Sequence, residues 1–376
     1  MAKKIMICFD GTNNEPSDAM QKTSPFKRNK VKDCSISNVL KLHLMFGGNL
    51  KNTLKSPQQQ SFYYPGVGTY RGKLWELFNA ALALPAGDIT TIIRAARKDL
   101  KKTYEPGDQI FIFGFSRGAA IARRFASLLV KEPKKYFKTP PEQDSRPVRF
   151  LGVFDTVASI GSPNLSDDEM PAFDVVFQGG YTISPAIAEA LHLVSIDENR
   201  KAFKPTLMNH DGRVTEVWFP GVHSDIGGGY WKDSLSDVSL EFMLRYLRRL
   251  DASIRILKSE EIDYRRLSPD DPNILIEEDD LKMNPSIQGT LHTHERSGLV
   301  AEVTLCNRVI KVLKNDKPAP NASPLVIADI ARRVMDAAYA PAPLRRIAHR
   351  LISMDGLIQK DDRGKDKIFT GTRNYF

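Results

Sequence analysis

Short apolar runs alternate with amphipathic stretches along the first two thirds of the chain. The runs Lys4–Phe9, Ile110–Phe115, Val148–Asp155 and Thr215–Pro220 are rich in β-branched and aromatic residues, and turn formers such as Glu105-Pro106-Gly107-Asp108 bound them, which predicts strands. Phe62–Thr69 predicts a short strand ending in a glycine-rich turn. Helical spacing covers Ser37–Met45, Asp88–Lys101, Ala119–Val130, Ser184–Asn199 and Ser236–Leu250. Asp88 stands where a helix cap belongs, with basic residues in the last turn of its helix. Asn13–Asp33, Glu132–Arg146 and the acidic Pro163–Asp174 read as connections. Strands alternating with helices imply an α/β fold: a mostly parallel sheet covered on both faces, with reactive groups at the strands' carboxyl ends. After about residue 252 the pattern weakens into an acidic stretch (Glu260–Asp280), a proline-rich linker (Pro318–Pro324) and helices expected over Ala328–Ala338 and Leu344–Met354. Residues 1–250 are therefore expected to form the core, and residues 251–376 an extension that packs on it or makes a small cap.

Composition narrows the class. A hydrophobic content of 41% and a charged content of 26% suit a soluble globular chain. No apolar run reaches the length of a membrane-spanning helix. The apolar run near the N-terminus is too short for a signal peptide, and Asp10 ends it without a cleavage site. Cytoplasmic synthesis is expected, and any export would be signal-independent. Cys8, Cys34 and Cys306 are odd in number and far apart, which argues against a disulfide framework or a zinc site. The net charge of +9 suits an anionic partner such as a membrane surface, and equally suits solvated helix faces. The basic clusters Lys27–Lys32, Arg94–Lys102 and Arg345–Arg350 carry no nucleic-acid-binding module, so no nucleic acid is expected.

Candidate chemistry begins where the predicted strand at Ile110 runs into Gly114-Phe115-Ser116-Arg117-Gly118. Strand, G-x-S-x-G and helix together form a nucleophile elbow, a sharp turn that strains the serine and needs small neighbours on both sides. Ser116 would project from the strand edge. The N–H of Arg117 at the helix start would be one oxyanion donor, and the loop Asp10-Gly11-Thr12 after the first strand would supply another. Phe9-Asp10-Gly11-Thr12 also approaches the Asp-x-Asp-Gly-Thr phosphatase signature, but Cys8 stands where that chemistry needs its nucleophilic aspartate.

A nucleophilic serine needs a base, and the base needs an orienting carboxylate, in the chain order Ser, Asp/Glu, His. His192, His210, His223 and His292 lie downstream of the elbow. His223 follows a strand directly and opens the glycine-dense Gly227-Gly228-Gly229, which makes it the expected base; His192, among apolar neighbours in an expected helix, reads as a core residue. Asp155, at a strand end between Ser116 and His223, is the expected acid. Asp197, a candidate ion-pair partner of Arg200, and Asp225, a candidate brace of the glycine loop, are its rivals. The Ser-Asp-His chemistry requires no metal or organic cofactor. The competing reading is a non-catalytic membrane-surface or protein-binding module on the same fold.

Cys8–Asn14, Tyr64–Thr69, Gly114–Ala119, Gly152–Val157, Ile196–Arg200 and Trp218–Tyr230, taken in order, resemble the catalytic domain of the type VI secretion phospholipase effectors. The resemblance covers roughly Lys3 to Leu250. It implies an α/β-hydrolase fold, a serine esterase triad with Ser116 as nucleophile and His223 in the histidine motif, and membrane phospholipid cleaved at an acyl ester. Asp155 matches the family's aromatic-Asp-Thr-Val motif. The family's usual large insertions or membrane-docking region are not evident in this chain.

Overall fold

The computed structural model describes all residues except 1, 13, 20–32, 67–85, 143–144, 159–180, 268–273, 295–300, 302, 338, 374 and 376. Its described strands build one large sheet from β1 (Lys4–Phe9), β2 (Gln59–Tyr64), β3 (Gln109–Phe115), β4 (Val148–Phe154), β5 (Ala190–Ser195), β6 (Val214–Phe219), β7 (Leu325–Ile327), β8 (Ala348–Ile352) and β9 (Phe369–Thr370). Their spatial order is β9-β8-β7-β6-β5-β4-β3-β1-β2. Every neighbouring pair is parallel except β8 and β9. The described helices packed around it include α1 (Asn38–Met45), α2 (Ala86–Thr103), α3 (Ser116–Lys131), the short α4 (His223–Gly227), α5 (Ser234–Leu250) and α6 (Ile330–Ala337).

Two-residue periodicity sorts the core into two layers. Ile5, Ile7 and Phe9 of β1 share one cluster with Ile110 and Ile112 of β3, where they meet Ile92 and Leu100 of α2 and Phe125 and Leu129 of α3. The alternate residues Met6, Cys8, Phe111 and Phe113 face the other way, onto Val39 and Leu42 of α1 and Phe242 and Leu247 of α5. Successive side chains of a strand point to opposite faces, so strands buried on both faces read as unbroken apolar runs. This is an α/β-hydrolase architecture. The chain moves outward in opposite directions from β1 and β3, so the crevice at their carboxyl ends is the topological switch point, where open parallel sheets place their ligands.

Two expected helices are strands. Ser184–Asn199 contains β5, and Leu344–Met354 contains β8. β5 is buried along its whole length between β4 and β6. Its continuous apolar run therefore fitted either period, and strand pairing decided it. The residues after 251 contribute α6 but also β7, which pairs with β6 at Val217–Leu325 and Trp218–Val326 and so continues the central sheet. The expected acidic loop Pro163–Asp174 lies outside the described residues, as do most of the Asn13–Asp33 connection and the turn beyond Gly66. No helix among the described residues is long and apolar enough to cross a membrane.

Candidate active site

β3 ends at Phe115, and α3 begins at Ser116 with no intervening residue. The turn places Ser116 at φ 56°, in the left-handed region that side chains avoid and that functional turns tolerate. The flanking glycines are a steric requirement. A Cβ on Gly114 would lie 2.6 Å from the Ala119 Cα, and one on Gly118 would lie 2.2 Å from the Asp10 carbonyl oxygen. The elbow is thus pressed against the end of β1, which brings Thr12 beside the serine.

Ser116 lines a cleft of about 170 Å³ together with Thr12, Arg117, Arg200, Phe203, His223 and Tyr230. His223 is the first residue of α4, so the expected loop histidine sits on a short helix. Its ring packs against Phe115, with centroids 4.6 Å apart, and meets Phe203 edge-on at 5.0 Å. His223 Nδ1 lies 2.5 Å from Asp155 Oδ2. An ionised carboxylate only accepts, so Nδ1 carries the proton and Nε2 is left as the acceptor. Burial lowers the His223 pKa below the ordinary histidine value despite the opposing pull of Asp155. The imidazole is therefore neutral at neutral pH, as a base must be.

Asp155 follows β4 at φ 37°, so the elbow serine and this carboxylate both occupy left-handed backbone. The carboxylate is fully buried. Burial pushes its pKa up, but the charge of Arg308 and the hydrogen bonds from His223 and Arg308 outweigh that and hold it far below the usual carboxylate range. Arg308 Nη1 donates to Asp155 Oδ1 at 2.6 Å and Nη2 to Oδ2 at 2.8 Å. The same two nitrogens donate to the carbonyls of Ser195 (2.8 Å) and Phe203 (2.7 Å), while the Ser195 N–H donates to Asp155 Oδ1 at 3.0 Å. Arg308 escaped the sequence reading: it stands 153 residues from Asp155 in a segment without period or motif.

The Asp197–Arg200 segment forms a platform beneath the histidine. Asp197 accepts from the Gly221 N–H at 2.7 Å and from the Tyr339 hydroxyl at 2.5 Å. Burial pushes its pKa up to about 6 against those bonds. Glu198, unremarked in the sequence, accepts from the His223 N–H at 3.3 Å and holds Arg200 through Nε and Nη2, each at 2.8 Å. The partner of Arg200 is therefore Glu198 rather than Asp197. Arg200 in turn covers the Phe203 ring at 3.6 Å. Asp225 accepts from the Val222 N–H at 3.0 Å and from His292 Nδ1 at 2.5 Å, so it braces the turn into α4. Neither rival carboxylate bonds the His223 ring.

The other histidines have different work. Buried His192 accepts the Thr156 N–H on Nε2 at 3.1 Å and faces Glu216 at 2.8 Å, which anchors the turn after Asp155. It does so from β5, so the core role was expected but the helix was not. His210 is exposed. His292 lies between Asp225 and Asp33, which hold its pKa above the ordinary value against the effect of burial.

Asp10 lies under the Gly11–Thr12 loop, where it accepts from Tyr63 (2.6 Å), Ser37 (2.7 Å) and the Gly11 N–H (2.7 Å). Burial pushes its pKa up to about 6 against these bonds. Gly11 is thereby removed from the expected oxyanion donors, because its N–H already has an acceptor. Thr12 remains, and its buried hydroxyl has no hydrogen-bond partner in the structure although it lines the cleft. No group of His, Cys, Asp and Glu that could hold a metal occurs among the described residues.

Similarity to known proteins follows the same stretch of chain. The family model described as "T6SS, Phospholipase effector Tle1-like, catalytic domain" matches residues 3–132 and 130–246. An uncharacterized protein of Saccharomyces cerevisiae is 28% identical over 251 residues, covering 54% of this chain and 32% of its own length. Among solved structures, the Tle1 effector bound to the VgrG spike of the type VI secretion system is 23% identical, with 61% of this chain and 51% of that one covered and a TM-score of 0.37. An uncharacterized protein from Pseudomonas aeruginosa is 21% identical, with 75% and 49% covered and a TM-score of 0.42. The chain thus spans about a third of the yeast relative and about half of each of these structures.

Proposed function

We propose that this chain, which belongs to the Tle1-like catalytic-domain family of type VI secretion phospholipase effectors, is a serine hydrolase that cleaves acyl esters of phospholipids, with Ser116 as nucleophile, His223 as base and Asp155 as acid. One observation carries the reading. The only described neutral imidazole bonded to a buried carboxylate at a strand end opens onto the same cleft as a strained elbow serine.

In the proposed cycle Ser116 Oγ attacks the acyl carbonyl while His223 Nε2 takes its proton. The imidazolium is held by Asp155 and then protonates the leaving alcohol. Water attacks the acyl-enzyme with His223 again as base, and the acid leaves. The oxyanion meets the N–H of Arg117, the second residue of α3, together with the N–H and hydroxyl of Thr12. The family's description supports a phospholipid substrate and export by a signal-independent secretion system, and the net charge of +9 suits an anionic membrane surface.

The test is reaction with a fluorophosphonate probe, read by intact mass. One adduct is expected on the wild type and none on Ser116→Ala. A folded wild-type protein that takes no adduct would refute the reading and leave a binding module on the same fold.

A further inference from the structure

The cleft wall carries two guanidinium groups and no carboxylate. Arg200 is neutralised by Glu198, through paired bonds at 2.8 Å. Arg117 is different. Its side chain lines the cleft beside the nucleophile and is half-buried. Among the described residues it has neither an ion-pair partner nor a side-chain hydrogen-bond partner. Burial alone acts on it, lowering its pKa to about 10. A partly dehydrated guanidinium without a counter-charge gains most from an anion that pairs with it. Arg123, six residues on in α3, shows the satisfied alternative, with its Nη1 donating at 2.7 Å to the Thr206 carbonyl. Arg117 therefore presents to the cleft a planar fork, unpaired by the protein, that can donate two N–H bonds to an anion bound there.

We propose that the Arg117 guanidinium is the binding site for an anionic group, a phosphodiester or a carboxylate, carried by the ester substrate, so that the site selects charged esters over neutral ones. The assignment rests on the acyl-ester reading above and adds the part of the substrate that does not react. The group lies within one residue's reach of Ser116, as the phosphodiester of a glycerophospholipid lies a few bonds from its acyl ester. Because the anion binds away from the reacting carbonyl, its loss weakens the capture of charged esters more than that of neutral ones.

The experiment uses the full chain and three soluble esters of one acyl length: dihexanoylglycerol, its hemisuccinate, and dihexanoyl phosphatidylglycerol. The readout is the ratio of kcat/KM for each charged ester to that for the neutral one. Arg117→Gln is expected to lower that ratio about 10- to 100-fold, the range of a lost charge-assisted hydrogen bond, while Arg117→Lys retains part of it. A larger fall for phosphatidylglycerol than for the hemisuccinate assigns the phosphodiester. Equal falls support the assignment for anions in general. A ratio within threefold of wild type in Arg117→Gln overturns it. Fluorophosphonate labelling of each variant separates the two readings, because a labelled Arg117→Gln protein with an unchanged ratio defeats the anion site alone, and an unlabelled wild type defeats both. Should Arg117→Gln not fold, competition decides: dibutyl phosphate must inhibit neutral-ester turnover by the wild type, and no inhibition overturns the proposal.

Discussion

Replacing Arg308 with methionine is the most discriminating perturbation, because it tests a contact that joins the residues after 251 to Asp155 and, through it, to His223. Methionine keeps much of the stem and removes the fork. Four donated bonds vanish: two to Asp155, at 2.6 and 2.8 Å, and one each to the carbonyls of Ser195 and Phe203. Breaking a buried ion pair from one side costs about 3–5 kcal/mol. Asp155 keeps the bonds from His223 and the Ser195 N–H, so the lower figure applies, on the order of 3 kcal/mol. At about 2 °C per kcal/mol for a large domain, the Tm at pH 7 should fall by roughly 6 °C. The sign with pH is fixed. A carboxylate whose folded pKa is depressed contributes stability that is present above its unfolded value, near 3.9, and is lost as the pH falls toward the folded value. The wild-type advantage should therefore be full at pH 7 and shrink below about pH 4. Activity moves separately. Without the guanidinium the charge of Asp155 acts undiluted on His223, so the imidazole pKa rises and the acid limb of kcat/KM shifts to higher pH. Thermal unfolding and a pH–rate profile measure both. A Tm within 2 °C of wild type together with an unmoved acid limb would refute the clamp.

Three further outcomes follow from the same geometry. Thr12→Val should lower kcat about 10- to 100-fold with little change in KM, and Thr12→Ser should restore most of it; equal rates for both variants would remove the hydroxyl from the oxyanion site. Asp10→Asn should gain Tm relative to wild type as the pH rises from about 4 to just above 6, because a carboxyl with its folded pKa raised to about 6 contributes stability below its unfolded value that is lost as the pH rises through 6. A difference that does not vary with pH would contradict this. Gly118→Ala should destabilise by about 1–3 kcal/mol and abolish fluorophosphonate labelling, since its methyl meets the Asp10 carbonyl of β1's loop at 2.2 Å; a labelled, equally stable variant would show that the elbow has room.

What was legible in the sequence is what depends on neighbours along the chain. Ile110–Phe115 pairs on both sides and packs on both faces, so its apolar run needed no tertiary context. Gly114, Ser116 and Gly118 report one turn. That His223 and Asp155 come together follows from each standing after a strand end, because parallel topology collects strand ends at one edge. β5 was misread because burial on both faces erases the period that separates strand from helix. Asp197 was matched to Arg200 by closeness in sequence, whereas the backbone turn gives Asp197 to Gly221 and Glu198 to Arg200. Arg308 and the withdrawal of the Gly11 N–H by Asp10 were illegible for a different reason. Both are side-chain geometry, one across 153 residues and the other between adjacent residues, and neither leaves a pattern.

The same reasoning predicts the fate of a chain cut after Leu250, where sequence periodicity ends. Ser116, His223 and Asp155 would all be retained. Yet the cut removes β7 from the edge of β6, where Val217 and Trp218 are wholly buried, and removes Leu281, Leu313, Val326 and Leu344 from the core layer shared with α1 and α5. It also removes Arg308 from Asp155 and His292 from Asp225. Apolar burial is worth about 25 cal/mol per Å², so stripping four buried leucine- or valine-sized side chains exceeds most of a domain's net stability before the buried carboxylate is counted. The truncated protein should therefore bind a hydrophobic dye, melt without a cooperative transition and take no fluorophosphonate adduct. Labelling of residues 1–250 at the wild-type rate would show instead that the first six strands fold alone, and that the guanidinium on Asp155 is dispensable to the chemistry it touches.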